Sequence, residues 1–81
     1  MSAITYQKIL KYEIARELLN GRIAEISELI DAEERKSSPD MSAVERMEEA
    51  ILVIAREIYA LDVTNEAALD ASIAFNSRPP W

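Results

Sequence analysis

VERMEEAILVIAREIYAL, residues 44–61, is the stretch whose reading decides the fold. Val44, Met47, Ile51, Ile54, Ile58 and Leu61 recur three and four residues apart without a miss. At 3.6 residues per turn, that spacing lines the six apolar side chains along one stripe of an α-helix. The β-branched isoleucines suit a seam between helices. Such a stripe does not stay in water, so the chain must supply something helical to cover it.

The cover lies upstream. Residues 3–36 carry a second stripe with heptad spacing, namely Ile9, Tyr12, Leu19, Ile23, Ile26 and Ile30, interrupted by Arg16. Asn20-Gly21 falls inside it and on its own signals a helix end. The stripe nevertheless keeps its phase across the dipeptide, which a loop would have no reason to preserve. The expectation is one helix of roughly 50 Å with a weak point costing about 1 kcal/mol at Gly21.

Residues 35–40, RKSSPD, break the pattern. Basic residues suit a helix C-terminus, and Ser38 before Pro39, or Ser42 three residues before Glu45, reads as an N-cap. A connection this short forces the two helices antiparallel. The second helix is expected over 40–61. Asp62-Val63-Thr64-Asn65 reads as a turn, with Thr64 or Asn65 capping a third helix over 65–75 whose face is Ala68, Leu69, Ser72 and Ile73. Residues 76–81 read as an extended tail, where Pro79-Pro80 presents Trp81. The fold class is therefore all-α, in one domain over 1–75: an antiparallel hairpin of two long helices plus a short C-terminal helix.

Both long helices are apolar beyond what one seam uses. Leu10, Ile14 and Leu18, with Gly21, lie away from the seam of the first helix, and Leu52 and Tyr59 form a second face on the other. A helix that is apolar on two sides is expected to be buried on two sides. With 81 residues a monomer buries only a modest core, and small helical scaffolds commonly gain cover by oligomerising. Leu10, Ile14, Leu18, Gly21, Leu52, Tyr59 and Trp81 are thus the candidate interaction residues, and a homodimeric bundle is the expected assembly.

Composition narrows the function. The chain has no cysteine and no histidine, which removes disulfides, thiolate zinc sites and any imidazole base. Carboxylate pairs at helical spacing, Glu13 with Glu17 and Glu45 with Glu49, have basic neighbours in Arg16 and Arg46. They read as solvated faces and not as acid–base or metal pairs. No catalytic residue, metal ligand or cofactor site is assigned. The longest wholly apolar run, Ala50 to Ala55, cannot span a bilayer, and no charged-then-apolar leader pattern is seen, so a cytoplasmic protein is expected.

Charge is uneven within a net of −6. Residues 1–22 hold Lys8, Lys11, Arg16 and Arg22 against Glu13 and Glu17, whereas the remainder is strongly acidic. Lys8 and Lys11 beside Tyr12 form a candidate phosphate contact, with aromatic stacking on bases. The favoured expectation is a small acidic, non-enzymatic helical protein that acts through protein–protein contacts as a homo-oligomer. A nucleic-acid-binding dimer using the Lys8–Lys11 patch comes second, and an acidic mimic of DNA third.

Overall fold

The structure, a computed structural model, describes residues 5–77. It has three helices, α1 (Tyr6–Glu34), α2 (Met41–Ala60) and α3 (Glu66–Asn76), with no strand among the described residues. Helix α1 packs against both α2 and α3, while α3 makes no comparable contact with α2. The all-α hairpin with a short third helix is what the apolar stripes specify.

Each helix starts on a side-chain cap. Thr5 accepts from the backbone N–H of Lys8 at 3.3 Å and opens α1. Asp40, and neither of the serines expected in that role, caps α2 by accepting from the Ala43 N–H at 3.1 Å. An aspartate at this position places its carboxylate over the free N–H groups of the first turn, where the helix dipole also favours it. Asn65 caps α3 through the Ala68 N–H at 3.1 Å. Ahead of it, Asp62 accepts from both the backbone N–H and the hydroxyl of Thr64, closing a local turn. At the hairpin turn, Glu33 bonds the Asp40 N–H at 2.9 Å and the Lys36 ammonium at 2.8 Å, so one carboxylate ties the end of α1 to the start of α2.

Helix α1 runs through Asn20-Gly21 without a break, and no described residue has a positive φ. Its C-cap, Arg35, comes slightly earlier than the boundary read from sequence. The buried stripe of α1 also differs from the expected one. Tyr12, Leu19, Ile23, Ile26 and Ile30 face inward, but Ile9 and Arg16 are exposed. Their places are taken by Lys8 and by Ala15, which is fully buried. The reason is that the N-terminal half of α1 serves two partners. Docking of α3 draws the buried stripe toward the side of Lys11, Ala15 and Leu18, and the small Ala15 side chain lets neighbouring backbones approach.

Among the described residues the buried apolar side chains are few: Ala15, Leu19, Val44, Ile54 and Leu69. The shape explains why. The molecule measures 59 × 24 × 14 Å with a radius of gyration of 15.7 Å, against about 12 Å for a compact chain of this length. Its least dimension is on the order of one helix diameter. The helices therefore form a single layer with two broad sides, where ordinary domains stack two layers over a shared core.

Candidate interaction surface

Helix geometry assigns the exposed side chains to the two sides of this layer. Successive residues turn by 100°, and in an antiparallel pair an equal rotation away from the seam, in the same sense, leads to the same side. On one side α1 presents Ile9 and Arg16, with Tyr6 further round, and α2 presents Leu52, Ala55 and Tyr59. On the other, α1 presents Ile14 and Leu18 and α2 presents Val53. Leu10 and Gly21 lie on the back of α1, away from α2.

Helix α3 docks on the N-terminal half of α1. Lys11 of α1 bonds Glu66 at 2.7 Å and Asp70 at 2.9 Å, two carboxylates one turn apart on α3. Leu69 is buried between them in sequence, flanked by half-buried Ser72, Ile73 and Asn76. Ala68, expected on this face, is exposed. Asn76 donates back to the Ser72 carbonyl at 2.8 Å and closes the last turn.

The candidate residues thus separate. Leu52 and Tyr59 are exposed on α2. Leu10 and Ile14 are exposed elsewhere, Leu18 is half-buried beside α3, and Gly21 is exposed, with open space where a methyl group would project. Of the extended tail expected over 76–81, Asn76 is instead the last residue of α3 and Ser77 its C-cap in the helical region, and 78–81, with Trp81, lie outside the described residues. Sequence reasoning passed over Ile9 and Val53 as surface residues and Ala15 as core. Ala15 was within reach, because Tyr12, Ala15 and Leu19 keep the three-then-four spacing that Arg16 breaks.

The basic candidates are placed differently from one another. Lys8 and Tyr12 are half-buried on α1. Lys11 is held by the two α3 carboxylates, and these bonds, that to Glu66 first and that to Asp70 next, raise the ammonium pKa above its ordinary value. Two carboxylates beside one ammonium make this a locally acidic spot, where a phosphate would have to displace an existing ion pair. Arg16 turns out to the surface and pairs with Glu13 at 2.6 Å, one turn back on its own helix. Among the described residues no group of three or more acidic side chains is arranged to hold a metal ion, and no helix is long and apolar enough to cross a membrane. A depression lined by Glu25, Glu28, Leu29, Asp31 and Arg35 belongs to the outer surface of α1 and the turn that follows it. No protein-family model, curated protein or solved structure matches the chain.

Proposed function

We propose that this chain is a non-enzymatic, self-associating helical protein that works by presenting a helical surface to protein partners. One observation carries the reading. Tyr6, Ile9, Leu10, Ile14, Leu52, Val53, Tyr59 and Phe75 are all exposed large apolar or aromatic side chains, against five buried apolar residues. Scattered single residues would mean nothing. Here they lie on a layer one helix thick, where a second layer is the usual remedy. The absence of histidine and cysteine from the sequence, the local pairing of Arg16 with Glu13 and the engagement of Lys11 by α3 agree with a role in binding and not in catalysis.

Sedimentation equilibrium across a concentration series tests the reading. The expected result is a mass of at least twice the 9.1 kDa chain at tens of micromolar. A mass of 9.1 kDa throughout contradicts it. A mobility-shift titration with RNA and DNA at two salt concentrations separates the nucleic-acid reading, which requires salt-sensitive complexes. We expect none, since Lys11 is engaged by Glu66 and Asp70.

A further inference from the structure

Lys8, Ala15, Arg22 and Leu29 stand at one heptad position of α1, and Lys11, Leu18 and Glu25 at another. Residues at one heptad position drift by only about 20° per repeat. Helix α2, which lies along α1 from the hairpin turn, would therefore shelter the later members at least as well as the earlier ones. The reverse is found. Lys8, Lys11 and Leu18 are half-buried and Ala15 is buried, whereas Arg22, Glu25 and Leu29 are exposed. The cover over the earlier members comes with α3, whose Glu66 and Asp70 bond Lys11 at 2.7 and 2.9 Å. We propose that α3 is a strap that releases from this stripe as a unit while the α1–α2 seam stays closed, and that the Lys11 clasp makes the release sensitive to ionic strength. Release does not require the self-association proposed above and assigns the molecule a moving part.

Four features make α3 a separate unit. It packs on α1 and not on α2, so its departure leaves the seam of the hairpin in place. It is also the weakly held partner. Leu69 is buried and Ile73 half-buried, whereas α2 has Val44 and Ile54 buried with Met47, Ile51, Ile58 and Leu61 half-buried. The free energy of a local opening follows the apolar contact that it breaks. The connection before α3 is bonded within itself, through Asp62 to the backbone and hydroxyl of Thr64, and can serve as a hinge with α2 intact. Finally, α3 has 11 residues, fewer than the roughly 12–15 that an isolated helix needs to hold together in water. Leaving α1 therefore means melting, and the strap has two states, docked and helical or released and unfolded. The clasp sets the balance between them. The Lys11, Glu66 and Asp70 side chains keep 30%, 40% and 55% of their exposure, so dissolved salt reaches the pairs and screens them. Release uncovers Ala15 and Leu18 beside a Lys11 freed from both carboxylates, a stripe of α1 that the docked form withholds.

The test is amide exchange on the intact wild-type chain at about 0.05 and about 0.5 M sodium chloride, which shortens the screening length roughly threefold. Amides of α3 should exchange at least about 10-fold faster than those around Leu19 and Ile54. The higher salt should speed α3 by roughly a further 3-fold, with no matching rise in the seam. Lys11→Met should remove that salt response. A second readout does not depend on how this variant folds. The chain has no cysteine, so Ala15→Cys and Val44→Cys each give one thiol for alkylation. Both positions are buried, one on the stripe beneath the strap and the other in the seam near the hairpin turn. Position 15 should react at least about 10-fold faster than position 44, and only position 15 should react faster in salt. Exchange of α3 in step with the seam, or position 15 reacting no faster than position 44, overturns the strap. A salt response that is absent from the wild type, or that persists in Lys11→Met, overturns the clasp as its latch.

Discussion

Ile54 and Gly21 set the limits of what one side chain does in this layer. Ile54 is buried in the centre of the α2 stripe, and Ile54→Asp forces an unpaired carboxylate into it. The expected loss is about 3–5 kcal/mol, a large share of the stability of a small domain. Glu49→Ala, on the exposed side of the same helix, should change stability by less than about 0.5 kcal/mol. Urea unfolding that returned similar midpoints for the two would contradict the placement of the stripe. Gly21 is helical, has no positive φ, and would carry a methyl group into open space. Gly21→Ala should therefore stabilise by up to about 1 kcal/mol through helix propensity. A loss of stability would mean that α1 is interrupted there. Glu33 adds a pH effect. Its bond to the Lys36 ammonium, and then the Asp40 N–H, hold its carboxyl below the ordinary value. A depressed folded pKa stabilises above the unfolded pKa and is lost as pH falls through the folded value. Glu33→Gln should therefore flatten the acid limb of the stability profile below about pH 4.5, and an unchanged limb would contradict the role of this clasp.

Among the elements, α2 was the most legible in sequence and the N-terminal half of α1 the least. The α2 stripe needs one partner, so its three-and-four spacing translates directly into burial: Val44 and Ile54 are inside, with Met47, Ile51, Ile58 and Leu61 beside them. The first half of α1 has apolar residues almost all round and two partners to choose between. A single-stripe reading therefore put Ile9 and Arg16 in the seam, where Lys8 and Ala15 stand instead. Which side α3 would take was not written in its own weak face. It follows from the Lys11 bonds to Glu66 and Asp70, a pairing between residues 55 and 59 apart in sequence that no local pattern reveals. The cap of α2 was misread for a simpler reason, since Ser38, Asp40 and Ser42 are all good caps. If Lys11 positions α3, Lys11→Met should speed amide exchange in α3 while leaving the α1–α2 seam protected, because local opening is confined to weakly held units. Uniform loss of protection in all three helices would mean that α3 and the hairpin open as one.

At the scale of the whole molecule, a single layer of helices with five buried apolar side chains among the described residues lacks an ordinary second layer. We propose that a second copy supplies it. The most direct measurement is the thermal midpoint as a function of chain concentration, from about 1 to about 100 μM. If folding and pairing are coupled, each tenfold increase adds about 1.4 kcal/mol to the stability of the dimer. The midpoint should then climb by roughly 4 °C per decade. A midpoint that stayed the same over that range would contradict the account, leaving a hairpin that is stable alone with its apolar side open to water.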